Sequence, residues 1–131
     1  MSSNRLASNS LAHFFVGLMK ADGGLSISEE EKIEILIYKM RHHLPGNYEH
    51  TIEQTRGIRH AEEYASWVPG EHLEKGLEFL DKFVASGGAE PDHFTGIMET
   101  LEIIMEVGSI TPGEKEYIDR MHREFTQKYI K

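Results

Sequence analysis

Apolar positions recur along this chain at three- and four-residue intervals, and nowhere do they alternate for long enough to argue a strand. Leu11, Phe14, Phe15, Leu18 and Met19 mark a first helix that begins at Asn4 or Ser8 and runs to Ala21. The second helix has the sharpest boundary. Ser28-Glu29-Glu30-Glu31 reads as a capping box, with Ser28 as N-cap and Glu31 reaching back to its backbone N–H. Ile33, Leu36, Ile37, Met40 and Leu44 follow as one apolar stripe. Arg41-His42-His43 suit the C-terminal end of the helix dipole, and Pro45-Gly46 stops the helix.

From Asn47 to Trp67 the pattern weakens; Ile52, Ile58, Ala61, Tyr64, Ala65 and Trp67 suggest one helix with a candidate break near Gly57. Pro69-Gly70 opens the next, with Leu73, Leu77, Leu80, Phe83 and Val84 inward and Gly87-Gly88 at its end. Pro91 starts a helix in which Phe94, Ile97, Met98, Leu101, Ile103, Ile104, Met105 and Val107 nearly surround the axis. A helix apolar on most sides is expected at the centre of the domain. Beyond Gly108, Thr111-Pro112-Gly113-Glu114 is a second capping box with proline at the favoured first position. It leads a last helix carrying Tyr117, Ile118, Met121, Phe125 and Tyr129.

The two capped starts match each other. Ser26-Ile27-Ser28-Glu29-Glu30-Glu31-Lys32 aligns with Ser109-Ile110-Thr111-Pro112-Gly113-Glu114-Lys115 at a spacing of 83 (109 − 26). An apolar helix precedes each copy and an amphipathic one follows, which argues for a helix–loop–helix duplication. Two copies are too few for a solenoid. The expected fold is therefore all-α, a compact bundle of five to seven helices, with residues 1–131 forming one domain as the length suggests.

Composition narrows the function by exclusion. Fourteen Lys+Arg against 22 Asp+Glu give −8, which works against binding a nucleic-acid backbone or an anionic lipid surface. With no cysteine, thiol catalysis, disulfides and thiolate metal sites are excluded, and a reducing cytoplasm is the expected compartment. Leu11 to Met19 is too short to span a membrane and too poorly flanked for a signal peptide, so a buried helix is expected there. No phosphate-cradling glycine loop and no convergent Ser/His/Asp set is present, so the expected role is non-enzymatic.

Candidate chemistry concentrates between the first two helices. An apolar helix ends in Ala21-Asp22-Gly23, a glycine-rich turn follows, and Ile27-Ser28 leads into Glu29, Glu30 and Glu31. This pattern, an Ala-Asp-Gly followed by an aliphatic residue, Ser, and Glu three positions on, resembles the tellurite-resistance TerB family. The N-terminal domain of membrane-anchored DnaJ-like proteins shares it. The resemblance implies an all-helical, internally duplicated fold and a cytoplasmic module of tellurite-resistance or stress-response type. It further implies that Asp22 and Glu31, supported by Glu30 or Glu29, hold a divalent cation such as calcium, magnesium or zinc, and that the module docks a protein partner. Such a cation would favour an oxygen-rich set. This chain departs from the family in two ways. Gly24-Leu25-Ser26 lengthens the turn, and in the second half Asp22 falls opposite Val107 or Gly108, with Glu102 and Glu106 upstream.

The same acids have a purely structural reading as capping and dipole residues, which leaves open a metal-independent interaction domain that has lost the site. An EF-hand is excluded, because Ile27 and Ile33 would occupy its glycine and bidentate-glutamate positions. Glu90-x-x-His93 and Asp119-x-x-His122 have the spacing of helical di-metal ligands, but Pro91 interrupts one and Asp replaces Glu in the other. Of the eight histidines, His50, His60, His72 and His93 are expected to be solvated, and His13 to be a hydrogen-bonded core or boundary residue. Trp67 is either an exposed interface anchor or a buried cap on the middle hairpin.

Overall fold

In a computed structural model the described residues are 3–21, 23, 26–42, 44, 47–87 and 111–129. All regular structure among them is helical: α1 (Ser3–Ala21), α2 (Ile27–Lys39), α3 (Tyr48–His60), a 3-10 turn (Glu62–Tyr64), α4 (Pro69–Ala85) and α5 (Pro112–Tyr129). The expected helix from Pro91 to Val107 lies outside the described residues. So do Asp22, Gly24, Leu25, His43, Pro45, Gly46, Glu90, His93, Glu102 and Glu106.

The central element among the described residues is α1. From Leu6 to Met19 every side chain except the half-exposed Asn9 is buried, and α1 touches each of the other four helices. Its small residues allow close approach. A Cβ on Gly17 would run into the Tyr117 ring, whose hydroxyl donates to the Phe14 carbonyl at 2.8 Å. A Cβ on Gly76 of α4 would run into the Phe14 ring, and Ser10 Oγ donates to the Gly76 carbonyl at 2.7 Å. These two contacts bring α4 and α5 onto α1 at near-backbone distance. Gly23, at φ +87°, turns the chain out of α1 in a conformation side chains rarely adopt, and its N–H donates to the Lys20 carbonyl at 3.0 Å.

Both helix starts are capped, one of them two residues earlier than expected. α2 begins at Ile27 with Ser26 as N-cap, its Oγ accepting from the Glu29 N–H at 3.2 Å. Ser28 is therefore inside the helix, and Glu31 is exposed rather than at the third position. The cause is that Ser26-x-x-Glu29 has the same capping pattern, and the earlier start adds two helical residues at no loss of a cap. The Thr111–Glu114 box forms in full: Thr111 N–H donates to Glu114 Oε1 at 3.1 Å, and Glu114 N–H to Thr111 Oγ1 at 3.2 Å. The two observed caps are thus 85 residues apart (111 − 26), against the 83 of the sequence match.

Two helix ends also differ from expectation. α2 stops at Lys39, so His42 lies exposed in the following turn, while Leu44 remains buried. Arg41 meets the helix end instead, donating to the Tyr38 carbonyl at 2.9 Å. α3 runs unbroken through Gly57 to His60, because its inward face is Thr51, Thr55 and Ile58. Two threonines on that face make the apolar period hard to see. Thr55 Oγ1 donates to the Thr51 carbonyl at 2.6 Å, which satisfies a hydroxyl that is buried there.

Candidate functional site

Two polar clusters sit beside α1. The first contains the acids of α2. Glu30 reaches across to Arg59 of α3 at 2.7 Å, and the two side chains are 15% and 8% exposed. His60 Nε2 stands 3.8 Å from the same carboxylate. One turn along, Glu34 accepts from Arg56 through both oxygens, Oε2 at 3.0 Å from Nε. On the far side, Lys32 donates to both oxygens of the fully buried Glu114 at 2.9 and 3.1 Å, clipping α2 to α5. Of the expected ligands, then, Glu30 serves an inter-helix ion pair, Glu31 faces solvent, Glu29 is half-exposed, and Asp22 lies outside the described residues. Among the described residues no three His, Cys, Asp or Glu side chains are grouped to hold a metal ion. Asp119 is exposed and His122 half-buried on α5.

The second cluster joins His13, which is the hydrogen-bonded core residue expected of it, to His72, which was expected to be solvated. His13 of α1 and His72 of α4 face each other with Nδ1···Nδ1 at 3.1 Å, 2% and 0% exposed. His72 is thus a core residue and not solvated. It continues the buried row Gly76, Leu80 and Phe83 backwards at helical spacing, a signal that a stripe begun at Leu73 overlooks. The ring centroids are 5.4 Å apart, so each Nδ1 points nearly straight at the other. That is the geometry of one N–H···N hydrogen bond. A cation bridging them along the same line would need roughly 4 Å, twice a metal–imidazole bond of about 2.0 Å. The pair is built to share a proton, with one ring as Nδ1–H donor and the other as acceptor.

Aromatic rings enclose the pair. Trp67 stacks on His13 at 5.9 Å, Phe79 stacks on it at 6.0 Å, and Tyr64 meets it edge-on at 5.0 Å. Trp67 is accordingly a half-buried member of this cluster, 4.7 Å from Tyr64 and 5.3 Å from His72. Lys20, at the end of α1, ties the connecting turn down by donating to the Tyr64 and Trp67 carbonyls at 2.7 and 3.0 Å. Burial lowers the Lys20 pKa, opposed by Glu71. Burial is also the main cause that pushes His13 down to about 4, aided by Lys75, and His72 down to about 3, aided by Lys20. Both rings are neutral at neutral pH. His72 Nε2 is buried with no hydrogen-bond partner, so each neutral tautomer leaves one unpaired group there.

No described helix is long and apolar enough to cross a membrane. No family model, no curated protein and no solved structure matches the chain.

Proposed function

We propose that this chain is a non-enzymatic, TerB-like helical module of stress-response type that works by docking a protein partner and needs no resident metal to do so. The observation that carries this reading is the division of labour on α2. Its acids Glu30 and Glu34 are paired with Arg59 and Arg56, which makes them tethers for α3. Its outward row, Ile27, Glu31, Ile35 and Tyr38 at i, i+4, i+8 and i+11, exposes three large apolar side chains that are 72%, 55% and 49% accessible. A partner suited to that row is an amphipathic helix with a basic residue opposite Glu31, which the chain's charge of −8 would also attract.

Thermal melts with calcium, magnesium and zinc test the metal half. A resident cation would raise the melting temperature by mass action. The expected result is no shift; a shift that Asp22→Asn and Glu31→Gln both remove would instead restore the cation-binding version of the module. For the docking half, a synthetic Leu/Lys amphipathic helix serves as probe. It should bind the wild type and fail on Ile35→Asp, whose exposed position leaves the fold intact. Equal binding to both proteins would remove α2 as the docking face.

A further inference from the structure

A second binding feature is built without α2 and is independent of the docking reading. Between α1, α3, the 3-10 turn and α4 is an open cavity of about 260 Å³. His13, Gln54, Gly57, Glu63, Tyr64 and Phe79 are among its walls. We propose that this cavity binds a small organic ammonium ion, with the Glu63 carboxylate as counter-charge and the Tyr64 and Phe79 rings as its cation–π walls.

Three observations support it. First, Gly57 sits in the interior of α3, where glycine is the poorest helix former after proline. Nothing lies within 4 Å of where its Cβ would be, so packing does not require glycine. A side chain at that lining position would take up cavity space. Second, the electrostatics select a cation. Among the described lining residues Glu63 is the one carboxylate and there is no Lys or Arg, while His13 is held neutral by burial and by its bond to His72. Glu63 and Tyr64 are consecutive in the 3-10 turn, so one short segment presents both the carboxylate and the ring to the cavity. Third, one of the two rings already draws ammonium groups: Lys75 and Lys82 Nζ stand 5.3 and 5.6 Å from the Phe79 centroid without lining the cavity. An ammonium over an aromatic face is attracted by the ring quadrupole, and quaternary ammonium ligands use this contact. The volume suits a ligand of choline size rather than a nucleotide.

The chain carries a built-in reporter, since Trp67 is its one tryptophan and packs on both His13 and Tyr64. Choline chloride and tetramethylammonium chloride should change Trp67 fluorescence saturably, with sodium chloride at equal ionic strength as control. Glu63→Gln should weaken binding several-fold, the loss of an exposed counter-charge beside the rings. Gly57→Leu should abolish binding while the melting temperature stays level or rises. Lys75→Gln, which removes a repelling neighbour, should tighten it. A linear response equal to that of sodium chloride would overturn the proposal, as would Gly57→Leu binding choline like wild type. Should Gly57→Leu fail to fold, wild-type affinity in Glu63→Gln overturns it just as well.

Discussion

Glu30 and Arg59 meet at 2.7 Å as opposite charges at the edge of the helical packing, whereas His13 and His72 meet at 3.1 Å as two neutral rings deep within it. Both pairs join α1's neighbours or α1 itself to a second helix, and both place ionisable groups against apolar surface. The difference lies in how the desolvation cost is handled. At the edge, carboxylate and guanidinium neutralise one another and keep a flank near water. In the interior, burial leaves the histidines uncharged and one shared proton suffices. It follows that the two regions should answer to different variables, the outer one to salt and the inner one to acid.

Acid should produce the larger effect. The folded pKa values of His13 and His72, about 4 and about 3, lie below the unfolded value of 6.5, so the unfolded chain takes up protons first. The stability tied to the neutral pair is complete above about pH 6.5 and is lost as pH falls towards the folded values. Each proton costs about 1.4 kcal/mol per pH unit within that window. Urea melts between pH 7.5 and 5, above the main carboxylate range, should therefore show a falling midpoint. His72→Gln should lower stability at pH 7 and flatten the slope, because one titrating group is gone. An unchanged slope in that variant would locate the acid sensitivity elsewhere.

Lys32 and Glu114 form an intermediate case, with one partner 37% exposed and the other not at all. Lys32→Ala strands a buried carboxylate that keeps one hydrogen bond from the Thr111 N–H, and with Lys32 itself partly solvated the loss should be about 2 kcal/mol. Glu114→Gln should cost less, since the amide oxygen still serves the cap. Chemical denaturation of the two variants ranks them; the reverse order would mean that Lys32 contributes little to docking α2 on α5.

What the sequence made legible follows the same inside–outside division. The apolar stripes of α1, α2, α4 and α5 predicted buried Leu18, Ile33, Leu80 and Met121, because apolar burial is a property of one residue and its spacing. The all-helical class followed from them. Polar residues were harder, since their fate depends on a partner distant in sequence. His72 looked solvated beside Glu71 and Glu74, yet its environment is set by His13, 59 residues away. Glu30 looked like a free ligand, yet Arg59 takes it from 29 residues away. Local capping fell between these cases: the second box formed as expected, while the first slid from Ser28 to Ser26 because two serines competed for one helix start.

That slide makes a distinction of about 1 kcal/mol testable. Ser26→Ala removes the observed side-chain acceptor for the Glu29 N–H and should cost about that amount. Ser28→Ala, at an exposed helical position, should change stability by no more than about 0.5 kcal/mol. Matched thermal melts of the two proteins decide which serine caps α2, and a larger loss at Ser28 would return the helix start to the later register.

The smallest effect is expected where the comparison began, on the outer face, and it separates two arginines one turn apart. Arg56 is 59% exposed and Arg59 8%, although each bonds a glutamate of α2. An exposed pair gains little over hydration and is screened by salt, so Arg56→Ala should lower the melting temperature only slightly, and less still near 1 M salt. Arg59→Ala removes the buried stem of the side chain as well as the charge and leaves Glu30, 15% exposed, without that partner. Its cost should be the larger of the two and should persist at high salt. Melts at low and high sodium chloride supply both numbers. Equal losses for the two arginines, fading together with salt, would show that the Glu30–Arg59 pair behaves as a surface contact and that burial does not separate the two tethers.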